Sequence, residues 1–356
     1  MKQEELIGKA QTVTGLIDAE QIGITTCHEH IFWDMSDYFR EPATAIERGL
    51  AHQPVSLENL YWVRAHSAGN IDNMRQTDEQ LAVSELLRFK LAGGGTIVEL
   101  SQDGMARDPS GLARVARATG LNIIMGCGYY SAFSHPADMD QKTEEAITQE
   151  IVQEIMVGVR DTGVRSGIIG EIACSLPLTQ NERKVLRACA VAQRRTGAAI
   201  NVHPSISDEI VIENIEILKD AGADLTRIAI SHVDGFEFSL PTLRKILEAG
   251  CYVEYDGFGH SLYHFVYMGR VVNEQSDIQR IDSIMQLIDE GYINQIVIGQ
   301  DMFFKCSLVA YGGYGYAHIL DNLLPFMRVK GMTDQQIHTL LIENPKRLLQ
   351  FVAAED

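Results

Sequence analysis

Thiol pairs at metal-ligand spacing are missing from this chain. Its six cysteines, Cys27, Cys127, Cys174, Cys189, Cys251 and Cys306, are scattered, with no Cys-x-x-Cys among them. That spacing argues against a thiolate zinc site and against a disulfide framework, and the six read as reduced, mostly buried small apolar residues. No Lys/Arg-rich run occurs either, and Asp plus Glu outnumber Lys plus Arg by 48 to 30. A nucleic-acid backbone or an anionic membrane surface is therefore not an expected partner. Long hydrophobic runs are also absent: nowhere do about 18 apolar residues follow one another. The charged opening Met1-Lys2-Gln3-Glu4-Glu5 lacks the apolar stretch of a secretory signal, so a cytoplasmic location is expected. Finally, no GxGxxG follows the first apolar run and no GxxxxGK[ST] occurs, which leaves the dinucleotide and P-loop readings without support.

What is present is a recurring unit. Short apolar, β-prone runs lie at Ile24–Cys27, Thr96–Leu100, Asn122–Gly126, Gly167–Ile172, Ala198–Val202, Arg227–Ser231, Cys251–Tyr255 and Gln295–Gly299. Segments with helical periodicity separate them, such as Gln80–Lys90, Asn181–Arg195, Ser207–Lys219 and Leu240–Leu247, each followed by glycine. Strands that read as unbroken apolar runs are covered on both faces. Eight such βα units in 356 residues predict an α/β fold of the (β/α)8 (TIM) barrel type in a single domain over 1–356. A doubly wound open sheet is the competing architecture. Residues 1–23 read as a hairpin capping the barrel floor or edge. Residues 34–78, with Tyr38, Tyr61 and Trp62, form an insertion after the first strand that would emerge at the catalytic face.

That face is where a barrel builds its site, and the ends of five runs carry metal-ligating side chains: His28 and His30, Glu171, His203, His232 and Asp301. Strand side chains alternate, so His28 and His30 point the same way. A lone strand-end histidine is more often a hydrogen-bonded structural residue, and a lone carboxylate more often a helix cap. Four histidines and two carboxylates in register favour a site for two divalent cations instead.

The motifs Val13-Thr14-Gly15 and Gly23-Ile24-Thr25-Thr26-Cys27-His28-Glu29-His30 resemble the opening of the phosphotriesterase family within the amidohydrolase superfamily of metal-dependent barrels. The resemblance runs nearly end to end. Gly167-Ile168-Ile169-Gly170-Glu171-Ile172-Ala173-Cys174-Ser175, Gly250-Cys251-Tyr252-Val253-Glu254-Tyr255-Asp256, Tyr311-Gly312-Gly313-Tyr314-Gly315-Tyr316 and Ile342-Glu343-Asn344-Pro345-Lys346 are most similar to its phosphotriesterase-related branch. The resemblance implies that His28, His30 and Asp301 hold the more buried cation and His203 and His232 the more exposed one, with Glu171 bridging. Many relatives bridge with a carboxylated lysine, and a glutamate needs no carbon dioxide to assemble. Zinc is the first expectation for the metal, and manganese, cobalt and iron suit the same ligands. Relatives are often homodimers, an assembly the sequence neither requires nor excludes.

The chemistry implied is hydrolysis by a hydroxide between the metals, with Asp301 taking its proton and passing it to the leaving group. The branch points to a small N-acyl amide with an anionic head group, of the N-acetyltaurine kind. Lactonase or esterase action on phosphorylated sugar lactones and weak phosphotriesterase action are the alternatives, and a non-catalytic metal-binding protein is the contrasting class. Arg107, Tyr129, Tyr130, Phe258, His260, His264, Phe303 and Lys305 follow the strands on the same face and are candidate substrate contacts. Packing under the loops, or a solvated surface position, is an equally good account of several of them. Phosphotriesterases and their lactonase relatives usually carry His or Arg directly after the strand-seven aspartate. Here Asp256 is followed by Gly257, which weakens the phosphotriesterase and acyl-homoserine lactonase readings. His135 reads as a local hydrogen-bonding residue, and His52, His66 and His338 carry no functional signal.

Overall fold

In the computed structural model, which describes residues 3–236, 238–260, 264–267 (backbone alone) and 270–355, eight parallel strands form one sheet in sequence order. They are β1 (Thr25–Glu29), β2 (Thr96–Glu99), β3 (Asn122–Cys127), β4 (Ile168–Ala173), β5 (Ile200–His203), β6 (Ile228–Ile230), β7 (Tyr252–Tyr255) and β8 (Ile296–Ile298). Each corresponds to one of the eight apolar runs. The sheet's two edges meet where the Asp301 N–H donates to the His28 carbonyl at 3.0 Å. That contact closes the sheet into a barrel and sets the open doubly wound sheet aside.

The barrel separates its apolar residues into two shells. Inside, every strand contributes one side chain to a floor layer: Cys27, Val98, Ile124, Ile168, Ala199 (just ahead of β5), Ala229, Tyr252 and Val297. The small Ala229 pairs with Tyr252 across β6 and β7, setting a small side chain beside a large one. Outside, Ile169, Ile200, Val202, Ile230, Val253 and Ile298 pack against helix residues such as Ile147, Val185, Val211, Ile246 and Ile284. Local signals start and stop these helices as expected. Gln180–Thr196 begins at a Thr179–Glu182 capping box and ends at Gly197 in the left-handed conformation.

The N-terminal strands Lys9–Thr12 and Gly15–Asp18 pair antiparallel. Their turn is pinned to the base of β3 by the Val13 N–H to Ile123 carbonyl bond of 2.9 Å. The insertion after β1 is closed at its root by the short pair Trp33–Asp34 and Arg75–Gln76. It carries the helices Ala45–Ala51 and Leu60–Ala65 over a separate apolar cluster of Ala51, Val55, Leu60, Trp62, Val63 and Cys306. A third antiparallel pair, His264–Tyr267 with Arg270–Asn273, follows β7; its strands are too short to show a period in the sequence. All six cysteines are free and buried. Among the described residues no helix is long and apolar enough to cross a membrane.

Candidate metal centre

At the C-terminal mouth of the barrel the six strand-end residues converge. His28 Nε2 lies 3.6 Å from Glu171 Oε1 and 3.7 Å from Asp301 Oδ1. His30 Nε2 lies 3.8 Å from Glu171 Oε2 and 3.2 Å from Asp301 Oδ1. On the other side His203 Nδ1 and His232 Nε2 approach Glu171 Oε1 at 2.5 and 2.9 Å. Glu171 thus faces both histidine pairs, β1's and that of β5 and β6. It reaches this place through Gly170, whose φ of 127° and lack of a side chain let the chain pass within a close approach of the Asn201 carbonyl. His232 and Asp301 both sit in the left-handed region, at φ 56° and 46°. Such a conformation costs on the order of 1–3 kcal/mol per residue and persists only where the surroundings over-determine it.

The surroundings do so through a second set of groups. His28 Nδ1 lies 3.1 Å from Glu254 Oε2 and 3.2 Å from Asp256 Oδ2. His232 Nδ1 lies 2.9 Å from Asp256 Oδ1, and the His232 N–H donates to Asp256 Oδ2 at 3.0 Å. His30 Nδ1 lies 3.0 Å from Ser101 Oγ. Beneath them, Asn201 Nδ2 donates to Glu254 at 2.6 Å and itself accepts from Ser231. One ring nitrogen of each of these three histidines is therefore held from behind, as in histidines that ligate metals, and the other is aimed at the carboxylates. Two of the aimed atoms, His28 Nε2 and Glu171 Oε2, are buried with no hydrogen-bond partner. Three overlapping groups, His28–His30–Glu171, Glu171–His203–His232 and His28–His232–Asp301, have ligand atoms close enough to share one ion. Imidazole plus carboxylate suits borderline divalent cations, so the residues present fit a metal pair.

Charge follows the same geometry. Burial alone would raise the Glu171 carboxyl, but the His203 and His28 imidazoles hold it well below the usual carboxylate range. Burial pushes Glu29 up to about 8 despite its hydrogen bond from Thr26. Glu29 accepts the Gln300 and Met302 N–H groups at 3.0 and 3.3 Å, which fastens the turn that carries Asp301 to the end of β1.

A family model described as the phosphotriesterase family matches residues 8–349. The chain belongs to the phosphotriesterase family. It is 41% identical to the N-acetyltaurine hydrolase of Dictyostelium discoideum, over 98% of this chain and 99% of that one. It is 38% identical to the human N-acetyltaurine hydrolase, over 97% and 99%. Among solved structures, a resiniferatoxin-binding protein from Rhodobacter sphaeroides superposes with a TM-score of 0.92 at 33% identity, covering 96% of this chain and 95% of that one. The phosphotriesterase homology protein of Escherichia coli, complexed with phosphate in its active site, gives 0.77 at 27%, covering 93% and 99%. This phosphotriesterase-family chain is a hydrolase, and its family is one of metal-dependent hydrolases.

Above the cluster of this family member opens a cavity of about 900 Å³. His30, Glu171, His203, His232 and Asp301 line it, whereas His28 lies beneath. Asp301, with 13% of its side chain exposed, is the most accessible of the six. The 34–78 insertion supplies part of the wall through Met35, Tyr38, Arg40, Trp62, His66 and Met74. Of the residues expected at substrate, Tyr130, His260 and Phe303 line the cavity. Three others are elsewhere, because each finds a stronger local partner. Arg107 is buried with its guanidinium on Asp103 and Glu154. Tyr129 bonds Glu150 and Lys142, and Lys305 pairs with Asp72 at 2.5 Å over the Tyr311 ring. Phe258 is buried beneath the Arg280 guanidinium. His264 has a side chain outside the described residues. His135 makes the local bond expected of it, to the Tyr130 carbonyl at 2.9 Å.

The residues that sequence reasoning missed are of two kinds. Glu254 and Asp256, two apart on an otherwise apolar strand end, share a face by the same period that singled out His28 and His30, and that signal was readable. Ser101, Arg40 and His66 offered none. His260, expected as a substrate contact, lines the cavity and is also bonded to Glu274 at 3.1 Å and to the Asp301 carbonyl at 3.2 Å. Burial alone would lower its imidazole, but Glu274 outweighs this and lifts it to about 9.

Proposed function

We propose that this protein hydrolyses a small N-acyl amide with an anionic head group, with N-acetyltaurine as the reference substrate. The observation that carries the reading is the ligand cluster: four imidazoles, three of them held from behind, aimed at Glu171 and Asp301 on the floor of one cavity. Relatives named N-acetyltaurine hydrolase, similar over nearly the whole chain, support the amide and its head group. In this reading His28, His30 and Asp301 hold one divalent cation, His203 and His232 hold a second, and Glu171 bridges; zinc is the cation to test first. When bound, the cations supply Lewis acidity, which lowers the pKa of water and polarises the acyl carbonyl.

The chain's own residues do the rest. Asp301, presented to the cavity by its left-handed backbone, accepts the proton of the attacking water and returns it to the leaving amine nitrogen. Glu254, Asp256 and Ser101 fix ring orientation and tautomer. Among the described residues Arg40 makes no ion pair; its Nη1 is spent on the Asp37 and Phe39 carbonyls. Its remaining N–H groups suit a sulfonate or carboxylate at the cavity mouth.

The test is a hydrolysis screen of the metal-loaded protein. The panel holds N-acyl amino-sulfonates, N-acyl amino acids, phosphorylated sugar lactones and an aryl phosphotriester. Amide cleavage well above the Asp301→Asn background supports the proposal. Turnover of the lactones or phosphotriester with no amide cleavage overturns it.

A further inference from the structure

The cavity is far larger than a two-carbon acyl group requires. At about 900 Å³ it stands near the top of the roughly 300–1,000 Å³ range of pockets that enclose drug-sized ligands. Its apolar surface begins at the ligand cluster itself. The Tyr130 ring lies 5.5 Å from that of His203, Phe236 lies 5.3 Å from His232, and Phe303 lies 6.4 Å from His30. Beyond these rings the wall continues through Met35, Met74, Met105 and Trp62. Methionines are unbranched and polarisable, and adapt to apolar ligands of varied shape.

The wall carboxylates Asp234, Glu274 and Glu41 do not contradict this, because their charges are met within the protein. Asp234 is bonded by Arg280, and Glu274 lies between Arg280 and His260 at 3.2 and 3.1 Å. Glu41 faces His52 at 2.9 Å. These carboxylates ask for no cation from a ligand, and the surface left to a substrate beyond the ligand cluster and Asp256 is mainly apolar, with Arg40 and Glu47 as its other charged members.

We propose that the substrates of this site carry an extended aliphatic or aryl acyl group, rather than acetyl alone, seated against Tyr130, Phe236, Phe303 and the methionine wall. The inference rests on the reading of the site as an amide hydrolase. The reaction is balanced by water: an oxygen–carbon bond forms at the carbonyl, the carbon–nitrogen bond breaks, and a proton passes to the amine. A longer acyl chain changes only what is buried while this happens.

The experiment is kcat/KM of the metal-loaded full chain on N-acyl taurines with two-, four-, six-, eight- and ten-carbon acyl groups, with N-benzoyltaurine beside them. Each fully buried methylene can contribute up to about fourfold, and partial burial should still give at least about tenfold from two to eight carbons. Trp62→Ala and Met35→Ala should flatten that dependence. A kcat/KM that is level or falls from two to eight carbons overturns the inference and leaves the amide hydrolase intact. Failure to cleave any member overturns both. The wild-type series decides the matter even if a wall variant does not fold.

Discussion

Replacing Arg280 by methionine removes a buried cation that ties the helix Asp277–Asp289 to the segments after β6 and before that helix. Its guanidinium is fully buried and bonds Asp234 after β6, Glu274 before the helix Asp277–Asp289 and, at 3.4 Å, Asp277 within it. Gly257 has no side chain because this guanidinium stands in the way: a Cβ there would lie 2.2 Å from Arg280 Nη2. Methionine fills most of the volume but leaves the buried Asp234 carboxylate without its cation, whereas Glu274 keeps His260, and breaking a buried pair from one side costs about 3–5 kcal/mol. With an unfolding entropy of roughly 2.1 cal/mol/K per residue, that is a fall in Tm of about 4–7 °C.

The loss should depend on pH. Burial already raises the Asp234 carboxyl above its usual range even with Arg280 beside it, and removing the cation raises it further. A carboxyl whose folded value is raised binds its proton more tightly in the native state. Its contribution to stability is therefore present below the ordinary carboxylate value and lost as pH rises through the raised one. Arg280→Met should thus be least destabilised near pH 4–5 and most at pH 8, and Arg280→Met with Asp234→Asn should recover part of the loss. Urea or thermal unfolding of the three variants across that pH range is the assay. A loss below about 1 kcal/mol at pH 8, or no recovery in the double variant, refutes the reasoning.

Asp301→Asn should remove at least about a thousandfold of kcat while leaving the far-UV spectrum unchanged, and substantial retained turnover sinks its role as proton carrier. Metal analysis should find two divalent transition cations per chain under replete conditions, falling below one in Glu171→Gln, with chelation lowering Tm as well as activity. Arg40→Gln should raise KM for anionic substrates about 10- to 100-fold, the value of a lost charge-assisted hydrogen bond, and leave neutral analogues alone. For His260 the folded value of about 9 exceeds the unfolded value of about 6.5. Its stabilisation is therefore complete below pH 6.5 and lost as pH climbs through 9. A fall of about 1–3 kcal/mol across that window should flatten in His260→Gln, and an unchanged slope would remove His260 as the cause.

The strands were legible because a buried parallel strand reads as an apolar run, as Ile228–Ile230 and Ile296–Ile298 do. The candidate ligand positions were legible because each stands where such a run meets the catalytic face. The pair His264–Tyr267 with Arg270–Asn273 was too short to announce itself. Arg107 and Lys305 stand on the right loops but turn to Glu154 and Asp72, partners distant in sequence that no local pattern reveals. Arg40 reaches the cavity from inside the insertion, where nothing in spacing distinguishes it from its neighbours.

The amino-acid sequence by itself determined the eight strands, the order in which their ends carry His28, His30, Glu171, His203, His232 and Asp301, and hence the class of chemistry. Those features depend on periodicity and on neighbours a few residues away. Tertiary structure decided what holds the histidines in place and what lines the cavity: Glu254 and Asp256 behind His28, Arg280 in the space Gly257 leaves, and aromatic and methionine side chains over the cluster. Each of these joins residues on different elements, so it follows from which strand ends and loops face one another rather than from any stretch of chain.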